Sequence, residues 1–387
     1  MGNDRQAVRT GLIVAFSTLF LLGTAAPGSA TGNIVKSDLK GTWQISLRGS
    51  TACGFVSMRA TMTFGLTGVG TGPLTIHGDC GDSTLTGQTF TVTKLAGTGG
   101  GSATLTCGAS CLWHFEIQVA PDRKKFNLAD VTFTETDTFL DGVAIASSVA
   151  DNIVVADMKG EWQVSLMGHQ ISPCGATKVS GVGTLTLNPA GAGSMNATLK
   201  STCGNGDVVN AFAISGLNAD GSGAATLDCG GGCQFTFSIQ VSSDRSMFNL
   251  VTVSPADAGE FLAGVAIRRS TAGHIVKTNL FGKWQATIFG EELDGDVAAV
   301  LATFTLNAKG TSTNVATVGH DTEGDGTQSG GILSITTLNP DGSGVMCVAI
   351  DCETSFRIQV SPDRSMMSVV SVDPATEDLL IGLAIHK

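Results

Sequence analysis

Ten cysteines are the residues of this chain whose type and spacing most directly predict chemistry. They fall into two sets of four and one set of two. The sets are Cys53, Cys80, Cys107 and Cys111; Cys174, Cys203, Cys229 and Cys233; and Cys347 and Cys352. An even number of cysteines in an exported chain favours disulfides. Zinc would need four ligands, usually from two closely spaced pairs, and no second His or Cys pair of that kind lies near the last two cysteines of any set. We therefore predict disulfides at all ten positions, no metal site and no cofactor.

The last two cysteines of each set are separated by only a few residues, as Cys229 and Cys233 are by three glycines, and a disulfide fits across such a turn. The first two, Cys53 and Cys80 in the first set, would close a loop of about 27 residues and contribute roughly 3 to 4 kcal/mol. The third set lacks both members of this pair, as expected for bonded partners. Four cysteines permit three pairings, so the connectivity stays open.

No familiar catalytic motif accompanies the cysteines. None of the six histidines lies in an HExxH pattern, and the chain has no G-x-S-x-G elbow or phosphate-binding glycine loop. Asn218, Asp220 and Ser222 are spaced like calcium ligands, but without a later bidentate Glu they predict a hairpin turn. We predict that the chain is not an enzyme.

A second acidic motif recurs three times, as PDR, SDR and PDR. Its Asp is expected to accept a hydrogen bond from the backbone two residues later, as in a tight turn. The following arginine is expected to be solvated, with a ligand or partner contact as the alternative. These arginines are Arg123, Arg245 and Arg364.

The motifs belong to a unit that is present three times. The segment KGTWQISLRG returns as KGEWQVSLMG and as FGKWQATIFG, and each unit ends in a segment like FLDGVAI. Units of this length are the size of small domains. We predict a signal peptide at 1–30 and β repeat domains at 31–149, 150–271 and 272–387, arranged in a row with short connections.

Within each unit, about eight segments alternate apolar and polar residues between turn-forming clusters. This pattern predicts an all-β fold of three tandem homologous domains, each an up-and-down antiparallel barrel, with a β-sandwich as the alternative. On the first strand, the Gly and the Trp share the inward face, and the Gly is expected to leave room for the indole. The predicted core residues are Gly41, Trp43, Gly160, Trp162, Gly282 and Trp284.

Glutamine recurs on the outward face of the first and sixth strands. A solvated β face is the favoured interpretation, and a contact between domains or with a partner is the alternative. The glutamines are Gln44, Gln163 and Gln285 on the first strand and Gln118, Gln240 and Gln359 on the sixth.

The Gly-x-Trp first strand followed by a meander resembles the calycin-type barrels, the lipocalin and avidin-like group. That resemblance implies an eight-stranded barrel with the Trp near a closed end and a ligand cavity at the other. Lipocalins also cover this Trp with a basic residue from a late strand, where this chain has Ala146 and Ser147, Arg268 and Arg269, or His386 and Lys387. Because the chain has no Tyr, an avidin-like biotin site is not expected.

The first 30 residues combine Arg5 and Arg9, an apolar run and a small-residue cleavage region, which predicts a secretory signal peptide. We expect an extracytoplasmic protein with no transmembrane segment in the mature chain. The net charge of −11 excludes a nucleic-acid footprint. The predicted function is structural or interaction binding to a protein or glycan, with small apolar ligands in the barrel cavities as the alternative.

Overall fold

The computed structural model describes most of the chain beyond the predicted signal peptide. The described residues are 32–52, 54–79, 81–108, 112–130, 138–172, 175–201, 204–230, 233–254, 260–291, 297–321, 324–348, 352, 354–371 and 379–387. Their helices are single 3-10 turns of three or four residues, too short to cross a bilayer.

Three closed eight-stranded antiparallel barrels make up the fold, which confirms the predicted barrel and excludes the sandwich. The first contains β1 (Gly41–Thr51), β2 (Gly54–Phe64), β3 (Val69–Gly78), β4 (Ser83–Leu95), β5 (Gly100–Thr106), β6 (Leu112–Val119), β7 (Lys125–Ala129) and β8 (Phe139–Ser147). The second contains β9 (Gly160–Ser172), β10 (Gly175–Leu187), β11 (Ala192–Ser201), β12 (Gly206–Leu217), β13 (Ser222–Gly230), β14 (Cys233–Val241), β15 (Met247–Ser254) and β16 (Phe261–Arg268). The third contains β17 (Gly282–Glu291), β18 (Val297–Leu306), β19 (Thr311–Asp321), β20 (Gly324–Leu338), β21 (Ser343–Val348), β22 (Thr354–Val360), β23 (Met366–Ser371) and β24 (Leu379–His386).

A 3-10 turn precedes the first strand of each barrel, and a fourth lies in the connection between the first two barrels. The turns are Lys36–Leu39, Val149–Asp151, Val155–Met158 and Lys277–Leu280. Apolar side chains that alternate along the strands fill the barrel interiors, because successive residues point to opposite faces.

The barrels form a ring, which differs from the row expected from the sequence. Strands β1 and β2 pack against β15 and β16, β9 and β10 pack against β23 and β24, and β17 and β18 pack against β7 and β8. Each barrel thus uses one surface toward the next barrel and another toward the previous one, and this heterologous contact closes after three copies. Two apolar clusters contain residues of all three barrels and lie in the seams.

All three barrels point the same way along the ring axis. At one end, carboxylates of Asp122, Asp244 and Asp363 lie within 4.8 Å of one another. At the opposite end, the ring of Phe55 lies 5.5 Å from that of Phe261 and 5.9 Å from that of Phe289. We call the first the tryptophan end, because Trp43, Trp162 and Trp284 lie near it. We call the second the cysteine end, because the β5–β6 turn and its equivalents lie there and carry Cys107, Cys229, Cys233, Cys347 and Cys352.

Candidate functional site in the second barrel

The repeated tryptophans are buried and close the tryptophan end of each barrel. The indole Nε1 of Trp43 donates a hydrogen bond to the carbonyl of Leu39, at 2.7 Å, in the preceding 3-10 turn. Trp162 and Trp284 donate in the same way to the turns before them, at 2.9 and 2.8 Å. The side chain therefore fastens the turn that covers the barrel, and its ring serves as core.

The glycine two residues before each tryptophan is required by its backbone conformation, whereas the sequence predicted that it makes room for the indole. Gly41, Gly160 and Gly282 adopt φ values of +130°, +132° and +135°. A Cβ on Gly41 or Gly160 would meet no heavy atom within 4 Å, so the indole does not require the space. Glycine is needed because residues with a Cβ rarely adopt this backbone conformation.

The lipocalin-like cover of the tryptophan is present in two barrels. The guanidinium carbon of Arg268 lies 4.6 Å from the centre of the Trp162 ring, which is a cation–π arrangement. The ring of His386 lies 4.9 Å from that of Trp284, and burial lowers the pKa of this histidine. Ala146 pairs with Trp43 at the same place in the first barrel, so no basic residue of the late strand covers that ring.

Two cysteine pairs lie at disulfide distance across the β5–β6 type turn. The Cα atoms of Cys229 and Cys233 are 5.2 Å apart, and those of Cys347 and Cys352 are 4.8 Å apart. Cys107 is also disulfide-bonded. The remaining predicted cysteines, Cys53, Cys80, Cys111, Cys174 and Cys203, lie outside the described residues.

An apolar cavity of about 140 Å³ lies inside the cysteine-end half of the second barrel. Among the described residues that line it, none has an ionisable side chain, and Asn210 has a polar one. Its lining consists of Leu166, Val179, Gly181, Met195, Leu199, Val208, Asn210, Leu227, Cys229, Phe235 and Leu262. Ligand pockets are concave and mostly apolar with a few polar groups, so this cavity is the strongest candidate functional site in the described part of the chain.

The recurring Asp of the PDR turn has a role that the sequence interpretation missed. Each accepts the expected backbone hydrogen bond two residues later. The three carboxylates also surround the ammonium of Lys125, at 3.0 Å for Asp122, 2.6 Å for Asp244 and 3.8 Å for Asp363. Burial alone lowers the pKa of Lys125, but the carboxylates outweigh it and raise that pKa. The lysine thus occupies the place that a metal cation would take among these carboxylates.

The arginines of the PDR turns are not simply solvated. All three adopt left-handed φ values, between 55° and 62°. Arg123 Nε lies 3.2 Å from Asp38, and Arg245 Nε lies 3.4 Å from Asp157, so each ties its turn to the 3-10 turn of the same barrel. In the third barrel, Asn279 stands at the position of that Asp in the 3-10 turn.

The first-strand glutamines correct the prediction of a solvated face. Gln44, Gln163 and Gln285 are all buried in the seams. Gln44 Nε2 donates to Ser238 of the second barrel at 3.3 Å, and Asn249 Nδ2 donates back to Ser46 at 2.7 Å. The alternative that they contact another domain is therefore the one the structure supports.

The sixth-strand glutamines are buried as well, and they hold a turn. Gln118 donates to the carbonyl of Thr98, Gln240 to that of Asp220 and Gln359 to that of Asp341, at 2.7 to 2.8 Å. Asp220 in that turn accepts hydrogen bonds from the backbone and hydroxyl of Ser222. The motif spaced like calcium ligands is therefore a hairpin turn, as predicted.

Comparisons with known proteins show a barrel likeness and no family. No family model matches the chain, and no curated protein matches it. Transferrin binding protein B of Neisseria meningitidis is similar over 90% of this chain and 76% of its own, with 9% identity and a TM-score of 0.29. CghA is similar over 93% of this chain and 95% of its own, with 9% identity and a TM-score of 0.22. Kievitone hydratase of Nectria haematococca covers 64% of this chain and 95% of its own, with 10% identity and a TM-score of 0.21.

The last comparison contradicts the prediction that the chain is not an enzyme, since kievitone hydratase is an enzyme among the similar solved structures. That prediction used the absence of sequence motifs. In a barrel, reacting side chains come from separate strands and meet only in the folded state, so such motifs need not exist. At this TM-score the likeness assigns no activity to the chain.

Proposed function

We propose that this chain is an extracytoplasmic binding protein, closed by disulfides at the cysteine end, whose second barrel holds a small apolar ligand. The observation that carries the proposal is the uncharged cavity of about 140 Å³ at that end. The predicted signal peptide and the two cysteine pairs at disulfide distance support an oxidising compartment.

The test is saturable binding by the full-length oxidised protein. A panel of uncharged apolar molecules, from one ring to a sixteen-carbon chain, is titrated by calorimetry. At least one member should bind with a stoichiometry near one. If no member binds, apolar ligand binding is wrong. In a separate test, cell fractionation should recover the protein outside the cytoplasm with its signal peptide removed.

A second candidate is interaction with a protein or glycan through the tryptophan end. One exposed valine precedes the 3-10 turn of each barrel, and Val35, Val154 and Val276 are 47%, 47% and 49% exposed. A repeated contact on one side of a rigid ring would gain from avidity. The wild type should then bind to glycans on an array. Replacing all three valines by serine should give binding more than threefold weaker than that of a variant with one valine replaced.

A further inference from the structure

Two of the differences between the interiors of the first and second barrels lie in the wall of the cavity. Gly181 pairs with Leu166, whereas Met58 holds the same register position opposite Leu47 in the first barrel. Met58 is buried in the first barrel's core. The second barrel therefore lacks the methionine side chain at this position, and Leu199 Cδ2 occupies only part of its space.

A second difference lies at the start of the sixth strand. Phe235 pairs with Leu227, and Trp113 pairs with Leu105 at the same place in the first barrel. Both aromatic rings are buried. The cavity wall thus combines a residue without a side chain and a smaller ring, and both Gly181 and Phe235 line the cavity.

The size and chemistry of the space restrict what it can hold. Pockets for drug-sized ligands have volumes of roughly 300 to 1,000 Å³, whereas an apolar cavity of about 150 Å³ is known to accept benzene. A charged molecule would lose its hydration without meeting a counter-charge among the described lining residues, which opposes its binding. The amide of Asn210 offers one place for a hydrogen bond.

We propose that the second barrel binds one uncharged molecule with a single apolar ring and at most one hydrogen-bonding group, and that Gly181 and Phe235 are its specificity-determining residues. This inference rests on the proposed function, whose ligand class it narrows. A longer apolar chain or a fused-ring system exceeds the volume of about 140 Å³ and should bind more weakly than a single ring.

Two substitutions copy the first barrel into the second and test the size limit. A Cβ on Gly181 would lie 2.6 Å from Leu199 Cδ2, the flexible end of a side chain, so Gly181→Met should shift that leucine and reduce the cavity volume. Phe235→Trp narrows it from the opposite wall. Gly216→Met places the same side chain on an exposed strand position of this barrel where a Cβ meets nothing within 4 Å, and it is the matched control.

The measurement is ¹⁹F NMR of the full oxidised chain with fluorobenzene, 1-fluoronaphthalene and a fluorinated sixteen-carbon fatty alcohol. In the wild type, one fluorobenzene should bind per chain and the other two probes should not bind. Gly181→Met and Phe235→Trp should each weaken fluorobenzene binding at least tenfold. Gly216→Met should leave that binding unchanged. Circular dichroism establishes that each variant is folded. Binding of the larger probes instead of fluorobenzene, or fluorobenzene binding unaffected by both folded cavity variants, would overturn the inference and leave apolar ligand binding standing. Absence of binding by every probe would overturn both.

Discussion

Arg48 and Asp141 form a buried two-pronged ion pair next to the ring axis, with Arg48 Nε and Nη2 lying 2.8 and 2.9 Å from the two carboxylate oxygens. Both side chains are almost fully inaccessible to solvent. Burial raises the pKa of Asp141, and the guanidinium opposes that effect. At the same register position, the second barrel pairs Met167 with Ala263, and the third pairs Phe289 with Ile381. The same position is therefore filled by an ion pair in the first barrel and by apolar pairs in the other two.

This comparison predicts the energetics of the pair. Asp141→Ala leaves the guanidinium buried without its partner and should lower the free energy of unfolding by about 3 to 5 kcal/mol. Arg48→Met combined with Asp141→Ala reproduces the Met167 and Ala263 pair and should stay within about 1 kcal/mol of the wild type. Urea denaturation of both single variants and the double variant forms a double-mutant cycle. A double variant as unstable as the sum of the singles would contradict the prediction.

Removing the Lys125 ammonium should create a cation site among the three carboxylates that surround it. Met247 and Met366 stand at its position in the other barrels, each opposite an isoleucine, as Lys125 is. Lys125→Met should be destabilised by about 2 kcal/mol, because three carboxylates then repel one another at a partly solvated site. Their separation of at most 4.8 Å suits Ca²⁺, which takes oxygen ligands at about 2.4 Å. Calcium should restore the melting temperature of this variant. The control is Lys124→Met, at the exposed neighbouring lysine, and calcium should leave its melting temperature unchanged.

The same cluster sets a pH dependence. Burial by itself would raise the pKa of Asp244, but the Lys125 ammonium and the hydrogen bonds from Lys125, Ser242 and Ser246 lower it to about 2. Because the folded-state pKa lies below the unfolded value of about 3.9, this carboxylate stabilises the fold fully above about pH 5 and loses its contribution as the pH falls toward 2. The stability difference between the wild type and Lys125→Met should therefore shrink over that range. Denaturation midpoints at pH 6, 4, 3 and 2 measure it, and a constant difference would contradict this assignment.

The barrels were predictable because many strands alternate apolar and polar residues between turn-forming clusters, and because Trp43 and its two equivalents mark the start of every unit. The ring was not predictable, because an outward Gln44 has the same sequence pattern whether water or another barrel covers it. The meeting of Asp122 with its equivalents depends on ring closure, which no local pattern records. The available signal was Lys125, a single cation where the other copies carry methionine. The sequence signal for the cavity is Gly181. It can be recognised only when the strand pairing shows that Met58 holds the equivalent position in the first barrel.

The glycine before each tryptophan gives a prediction that separates backbone conformation from space. Gly41→Ala meets no neighbouring atom, so its cost of about 1 to 3 kcal/mol comes from the positive φ alone. Gly282→Ala adopts the same φ but also places its Cβ against His386, so it should cost more. Adding His386→Ala to Gly282→Ala should bring its cost back to that of Gly41→Ala. Thermal denaturation checks the order, and equal costs for the two single variants would show that the histidine yields freely.

The cysteine pairs give the last prediction. Replacing Cys229 and Cys233 by serine removes a closure of only five residues, so the chain-entropy model expects a loss of about 2 kcal/mol. The equivalent Cys347 and Cys352 double variant should lose a similar amount, since its loop is nearly the same length. Intact mass after alkylation, with and without prior reduction, counts the thiols in each protein. Ten alkylated cysteines in the unreduced secreted wild type would contradict the disulfides. With the bonds in place, reductant should lower the stability of the wild type by more than that of either variant, because each variant has already lost one closure.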